Sequence, residues 1–205
     1  MGEQNESREK LIACAKKEFL EKGFAKASLR KMTSDAGLTT GAVYFFFKDK
    51  DGLFGAVVEE PLNNIIAVLK KHFAEDAEED LSTYVHHDGD HDDFTEELVN
   101  VMYADYDAMM ILLEKSAGSR YEGVVDSMIA MLDSYYEQFA QRYADIFQGK
   151  RVNRYMMHWM SHMQIGSFVH LLEHEPDREK ALKKIKPVMN FLIKGWMDYI
   201  LEDDV

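Results

Sequence analysis

The side chains best suited to chemistry in this sequence lie close together, between positions 39 and 50. They offer hydroxyls, small groups, a phenol and two ammonium groups, on Thr39, Thr40, Gly41, Ala42, Tyr44, Lys48 and Lys50. Hydroxyls and methyls can contact base edges in the major groove of DNA, and a phenol or an ammonium can bind a phosphate. Residues 39–45 contain no Arg, Asn or Gln, so we expect thymine-methyl contacts, a contribution from Arg30 and recognition of DNA shape.

Two short helices and a turn must position these groups. Ser28 is the predicted N-cap of the first helix, and Gly37 supplies the left-handed residue that can end it. Thr39 is the predicted cap of the second helix, which continues to about Phe45. A short helix, a glycine turn and a second helix of small residues form a helix–turn–helix, whose second helix fits a DNA major groove.

The segment from about Arg8 to Val58 resembles the N-terminal domain of TetR-family transcriptional regulators. The residues that carry the resemblance are Phe19, Gly23, Phe24, Ala36, Gly37, Leu38, Gly41, Tyr44, Phe47, Lys50 and Leu53. The resemblance implies that Tyr44 and Lys50 contact the DNA backbone. Thr33, Phe45 and Gly52 depart from the residues that the family usually has. The predicted DNA-binding residues are Ser28, Arg30, Thr39, Thr40, Gly41, Ala42, Tyr44, Phe45, Lys48 and Lys50.

The charge of the chain is divided unevenly. The net charge is −13, but residues 1–58 carry ten basic and eight acidic side chains, whereas the remaining residues carry a net charge of −15. The segment predicted to face DNA is therefore mildly basic. Cys14 is the only cysteine, the N-terminus lacks an apolar signal core, and we expect a cytoplasmic protein that does not contact a membrane.

Helical periodicity and only three prolines predict an all-α fold, with an N-terminal three-helix domain and a larger antiparallel helical domain for ligand binding and dimerisation. We place the DNA-binding domain at residues 1–48 and the effector and dimerisation domain at residues 49–205. A helix from about residue 49, which Asp49 can cap and which bends at Pro61, links the two. Further helices are predicted at about 94–115, 120–145, 152–174 and 178–202, the last divided at Pro187.

The resemblance also implies a ligand cavity among the C-terminal helices. Aromatic and methionine side chains in this part favour a small apolar or aromatic effector. The candidate pocket residues are Tyr103, Tyr106, Met110, Tyr121, Tyr135, Phe139, Met160 and Phe168.

A homodimer is expected, because two reading heads double the DNA contacts and match a palindromic operator. The predicted dimer surface lies on the last two long helices. Its candidate residues are Tyr155, Trp159, Met163, Gly166, Leu192 and Trp196.

No metal site, cofactor or enzymatic activity is predicted. His158/His162 and His170/His174 have the spacing that puts two imidazoles on one helix face, but no third ligand follows either pair in sequence. The alternating carboxylates at positions 88–92 are interpreted as a solvated loop, because Asp93 stands where a calcium loop needs glycine. The sequence contains no nucleophile elbow, HExxH, P-loop or dinucleotide fingerprint.

The leading interpretation is a ligand-responsive repressor that binds a palindromic DNA operator as a homodimer and is released by a small effector. The alternative is a helical small-molecule or metal-binding sensor whose TetR-like head no longer reads specific DNA.

Overall fold

The structure, a computed structural model, describes residues 2–78, 81 and 91–204. These residues form nine α-helices and two short strands, which confirms the all-α fold. The helices are α1 (Gly2–Lys26), α2 (Leu29–Asp35), α3 (Gly41–Phe47), α4 (Lys50–Glu78), α5 (His91–Ala104), α6 (Tyr106–Glu114), α7 (Val124–Ala144), α8 (Arg154–His174) and α9 (Arg178–Met197). The strands are β1 (Lys150–Val152) and β2 (Leu201–Asp203). Asp88 and Asp90, two of the alternating carboxylates, lie outside the described residues.

The chain forms two compact units. The first comprises Met1–Asn64 with Met102–Val124, and the second comprises Ile65–Val101 with Val125–Val205. The first unit therefore extends beyond the predicted boundary at residue 48 and includes a segment from later in the chain. This happens because α6 packs on α1, where Lys16 forms an ion pair with Asp105 and the Phe24 amide donates to the Lys115 carbonyl at 2.8 Å.

An aromatic cluster forms the core of the first unit. The backbone of α1 leaves helical geometry at Gly23, where φ is 71°, so that Phe24 turns back toward the same core as Phe19. Both rings pack on Phe54 of α4, with centroids 4.9 Å from Phe19 and 5.3 Å from Phe24. Helix α1 therefore changes direction at Gly23 and continues for one more short turn, to Lys26.

A polar network lies beside this cluster, on the same face of α4. The Arg120 amide donates to Asp51 at 2.9 Å, and its guanidinium donates to Glu59, also at 2.9 Å. The Tyr121 hydroxyl donates to the same Glu59 carboxylate, and burial raises the pKa of this phenol. Gly55 leaves the space for the network, since a Cβ there would lie 2.6 Å from the Tyr121 hydroxyl.

Three elements differ from the sequence-based expectations. The helix predicted at 94–115 is two helices, because the Asp105 side chain accepts from the Ala108 amide at 3.1 Å and caps α6. The prediction that Pro187 divides the last helix is wrong: α9 continues through it. This helix ends at Met197 and is followed by β2, which pairs antiparallel with β1 through ion pairs such as Lys150–Asp203, at 2.7 Å.

Helix α4 is long and apolar, and it includes Pro61 without interruption. By length and composition alone it could cross a membrane, with a mean hydropathy of 1.3 over its most apolar window. Half of that window is buried within the fold, as in the core helix of a soluble protein.

The turn between α3 and α4 has unusual geometry. Lys48 is the only non-glycine residue of the described chain with a positive φ, at 70°. Asp49 caps α4 as predicted, because its carboxylate accepts from the Gly52 amide at 2.7 Å. A Cβ on Gly52 would lie 1.9 Å from the Phe47 carbonyl oxygen, so this turn requires a glycine at position 52.

We expect Gly52→Ala to lower the free energy of unfolding by about 1–3 kcal/mol, because the added methyl must displace backbone rather than a flexible side chain. Gly41→Ala is the matched control: its added Cβ would meet only the Thr39 hydroxyl, at 3.5 Å, and its effect should stay within about 1 kcal/mol. Urea unfolding at one fixed protein concentration measures both. Equal stability of the two variants would contradict the assignment.

Candidate functional site

Helices α2 and α3 are attached to the first unit by one buried face each. Met32 and Thr33 of α2 are buried, as are Val43 and Phe47 of α3. The Thr33 hydroxyl donates to the Leu29 carbonyl at 2.9 Å, so the residue that departs from the family pattern is fully accommodated. The inner faces thus leave the opposite side of α3 free to face a partner.

The predicted turn is present. Gly37 has a φ of 70°, and the Leu38 amide donates to the Thr33 carbonyl at 2.7 Å, which closes the end of α2. The residue before α3 is Thr40, whose side chain makes no capping hydrogen bond, and the Ala42 amide donates to the Thr39 carbonyl at 2.9 Å. A cap by the Thr39 side chain stays a prediction. Both threonines are exposed.

The outer face of α3 presents small and aromatic groups. Gly41 is exposed and Ala42 is half-buried. Tyr44 is 61% exposed and Phe45 is 71% exposed, so neither aromatic ring belongs to the core. Phe47, by contrast, is 7% exposed and belongs to the core.

The predicted cationic residues fall into two groups. Arg30 and Lys48 are exposed, and within the described ranges neither forms an ion pair with a carboxylate. Lys31, next to Arg30, is paired with Asp35 at 2.7 Å. Arg30 and Lys48 are therefore the cations most available to a phosphate.

Lys50 is held within the first unit. Its ammonium lies 4.8 Å from the centroid of the Phe24 ring and 3.5 Å from the Ala25 carbonyl oxygen. Burial lowers the pKa of Lys50, although the carboxylates of Asp51 and Glu18 oppose this shift. The DNA contact that the family resemblance implies for Lys50 stays a prediction.

Ser28 caps α2 as predicted, since its hydroxyl accepts from the Lys31 amide at 3.3 Å. A residue that sequence reasoning missed completes this cap. Glu18, which is buried, accepts the Ser28 amide at 3.1 Å and so fixes the start of α2 against α1. In the sequence, the only indication that Glu18 is buried is its position among the apolar residues of α1, one residue before Phe19.

The second unit contains a small, mostly apolar cavity of about 60 Å³. Of the predicted pocket residues, Tyr135, Phe139 and Phe168 line it. Met160 is buried but does not line it. The remaining four candidates belong to the first unit and line no part of this cavity: Tyr103, Tyr106, Met110 and Tyr121.

Polar groups stand at defined points of the cavity wall. The buried carboxylate of Asp76 accepts from the Tyr135 hydroxyl at 2.5 Å and lies 3.5 Å from His72 Nε2. The Tyr136 hydroxyl donates to Gln164, and burial raises the pKa of this phenol. Trp196 Nε1 is also buried, and it has no hydrogen-bond partner among the described residues.

An exposed apolar surface lies on α8 and α9, and we call it the α8–α9 face. It comprises Tyr155, Trp159, Met163, Gly166, Val188 and Phe191. Met163, Gly166 and Val188 line one open groove of about 560 Å³, so the two helices present these residues side by side.

Four of the predicted dimer residues lie on this face, but Leu192 and Trp196 do not. Both are buried within the second unit, at 6% and 5% exposure, where the Trp196 ring packs 4.9 Å from that of Tyr136. Helix α9 has two apolar stripes, and its inner stripe contains these two residues. The outer stripe contains Phe191, which is 74% exposed.

A helix–turn–helix with a buried inner face and an exposed second helix, within an all-helical chain, defines the class of helix–turn–helix DNA-binding proteins. Residues 11–57 match the sequence model of the bacterial regulatory proteins of the tetR family. This match confirms, over these residues, the resemblance to the TetR family seen in the sequence.

Curated relatives agree over the same segment. The chain is 38% identical over 57 residues to the HTH-type transcriptional repressor BepR of Brucella suis, and 33% identical over 64 residues to the HTH-type transcriptional repressor Rv1474c of Mycobacterium tuberculosis. These matches cover 28% and 31% of this chain, and only 27% and 34% of the length of those relatives. The relatives are transcriptional regulators and not enzymes.

Solved structures share the fold over nearly the whole chain. NalD of Pseudomonas aeruginosa, described as the secondary repressor of the MexAB-OprM multidrug efflux pump, matches with a TM-score of 0.61 at 20% identity, covering 99% of this chain and 100% of that one. A TerR/AcrR-family transcriptional regulator of Aquifex aeolicus matches with a TM-score of 0.60 at 19% identity, covering 91% and 99%. The whole chain therefore has the fold of TetR-type regulators.

Proposed function

We propose that this protein is a ligand-responsive transcriptional regulator, acting as a repressor, that binds a palindromic operator as a homodimer and is released by a small effector. The observation that carries the proposal is the outer face of α3. It presents Gly41 and Tyr44, directly after the exposed hydroxyls of Thr39 and Thr40, on a helix whose other side is anchored by Val43 and Phe47. Such a face is suited to enter a major groove while the exposed side chains of Arg30 and Lys48 bind the flanking phosphates.

Homodimerisation is supported by the α8–α9 face. Large apolar side chains exposed together on a monomer mark interaction sites, and Phe191 and Trp159 are the aromatic anchors typical of interfaces. Gly166 is exposed, and a Cβ there would meet no atom within 4 Å, so a second helix can approach closely at this point. A two-fold dimer through this face places two reading heads on one operator.

The effector part of the proposal depends on the cavity in the second unit. A cavity of about 60 Å³ holds a few water molecules, whereas pockets for drug-sized ligands measure roughly 300–1,000 Å³. An effector of that size must therefore select a more open conformation of this unit. A ligand that binds one conformation better than another shifts the balance between them, which is how effector binding would release DNA.

The wall of the cavity limits the chemistry of the effector. Aromatic rings of Phe73, Phe94 and Tyr135 favour a planar apolar ligand. The indole N–H of Trp196 is buried and lacks a described partner, so a ligand with a hydrogen-bond acceptor would satisfy it. We therefore propose an aromatic effector that carries one acceptor atom.

DNA binding is tested by selecting random double-stranded DNA on the purified protein. We expect an enriched inverted repeat. Lys48→Ala should reduce the slope of log affinity against log salt by about 2, since each of two heads loses one phosphate contact. Lys183→Ala, which changes an exposed lysine of α9, is the control and should leave the slope unchanged.

The variant Gly41→Ala distinguishes a loss of operator affinity from a loss of stability. The variant should remain as stable as the natural chain yet lose about tenfold or more in operator affinity, because its methyl obstructs close approach to the base edges. Failure of a folded, dimeric protein to enrich any sequence would favour the alternative function, a sensor whose head no longer reads specific DNA.

Dimerisation is tested at the centre of the exposed stripe of α9. Phe191→Asp should weaken self-association by at least about tenfold, because it places a charge in an apolar interface. Phe147→Asp changes another exposed aromatic residue of the same unit, outside the α8–α9 face, and should have no effect. Sedimentation velocity over a dilution series reports both, and equal behaviour of the two variants would exclude this face.

The effector site is tested with prodan, a neutral naphthalene fluorophore with one carbonyl acceptor. We expect Trp196→Phe to weaken prodan binding roughly 2- to 10-fold, the loss expected for one hydrogen bond. Trp159→Phe alters the other tryptophan, on the α8–α9 face, and should leave the affinity unchanged. An unaltered affinity in Trp196→Phe would show that the Trp196 indole does not bind the probe. An effect of Trp159→Phe would show that prodan binds outside the cavity.

A further inference from the structure

Two histidines and an aspartate come together on the flank of α8, at the edge of the α8–α9 face. His158 and His162 are one turn apart on α8, and their Nε2 atoms lie 3.2 Å from each other. On the opposite side of the His158 ring, Nδ1 lies 2.7 Å from Oδ2 of Asp133, which belongs to α7. The sequence shows the histidine pair, but only the fold brings the third group to it.

The separation of the two Nε2 atoms matches a shared metal ion. Zinc binds imidazole nitrogen at about 2.0–2.1 Å, and a tetrahedral angle then places two such nitrogens about 3.3–3.4 Å apart. Both rings are on the exposed side of α8, so an ion can reach the point between them. Neither side chain needs a large rearrangement to bind it.

Asp133 prepares His158 to act as a ligand. A carboxylate that accepts a hydrogen bond from Nδ1–H fixes the tautomer in which Nε2 carries the lone pair, as the carboxylate partners of metal-binding histidines do. The other oxygen of Asp133, Oδ1, is buried and has no hydrogen-bond partner among the described residues. His158 is therefore the one described hydrogen-bond partner of this carboxylate.

We propose that His158 and His162 bind a divalent transition-metal ion of the zinc class through their Nε2 atoms, with Asp133 as the positioning residue and water in the remaining coordination positions. Imidazole ligands favour zinc, copper and nickel over calcium or magnesium. The site uses neither the reading face of α3 nor the cavity of the second unit, and it lies at the edge of the α8–α9 face that we propose for dimerisation.

The second histidine pair of α8 provides a contrast within the same helix. Potential ligand atoms of His170, Glu173 and His174 lie within 4.8 Å of one another, and all three side chains are exposed. The two rings are stacked, however, at 28° and 4.1 Å between centroids, and His174 Nδ1 is bonded to the His170 carbonyl. No carboxylate from another described helix orients either ring, so this pair serves as the control.

The test is calorimetric titration of the full-length, metal-free protein with Zn²⁺ in excess Mg²⁺, which occupies carboxylate sites. We expect one ion per chain. The double variant H158A/H162A should abolish this binding, whereas H170A/H174A should leave its affinity within about twofold. Asp133→Asn should weaken it about 10- to 100-fold, the usual effect of losing the carboxylate partner of a ligating histidine.

Electron paramagnetic resonance of the Cu²⁺-loaded protein separates ligands from the positioning residue. Asp133→Asn should retain the signature of two nitrogen ligands despite its weaker affinity, whereas H158A/H162A should lose it. The proposal is overturned if H158A/H162A binds Zn²⁺ as the natural chain does, if only H170A/H174A abolishes binding, or if the natural chain shows no saturable binding. An unchanged affinity in Asp133→Asn would overturn the role of that residue.

Discussion

The packing of Phe54 on Phe19 and Phe24 is the interaction on which the first unit depends. It joins the start of α4 to both segments of α1, and it is possible only because α1 changes direction at Gly23. The Tyr121 ring lies 5.7 Å from the same Phe54, so the apolar cluster continues into the network of Glu59 and Arg120. Helices α2 and α3 pack on this framework through one buried face each, so the residues on their outer faces do not contribute to the core.

Local features of the fold could be predicted from the sequence, because they depend on neighbouring residues. Gly37 adopts the left-handed conformation expected of it, Ser28 caps α2 and Asp49 caps α4. Each of these two caps joins groups three residues apart, which is why the sequence alone indicates it.

Features that depend on distant residues could not be predicted in the same way. Helix α9 carries two apolar stripes, and periodicity alone does not show which one faces the core; the choice of Leu192 and Trp196 as surface residues was wrong for this reason. The pairing of β1 with β2 joins segments about fifty residues apart through charged side chains, which carry no strand signal. Asp133 has no sequence relation to His158, and only the packing of α7 on α8 shows it.

Helix α8 has apolar residues on two different sides. One side buries Met157, Ile165 and Phe168 in the core of the second unit, and Phe168 also lines the cavity. Another side exposes Tyr155 and Trp159 on the α8–α9 face. This explains why no single amphipathic stripe describes the helix: its apolar residues serve the interior and the surface at once.

The turn from α3 to α4 restricts how this head can diverge. The positive φ of Lys48 and the missing side chain of Gly52 form one geometric unit, because the close approach of the Phe47 carbonyl depends on both. The residues that face outward from α3 share none of these contacts. The outward-facing positions of residues 39–45 can therefore be substituted while the angle of the helix is retained, provided that residues 47–52 are kept as a block.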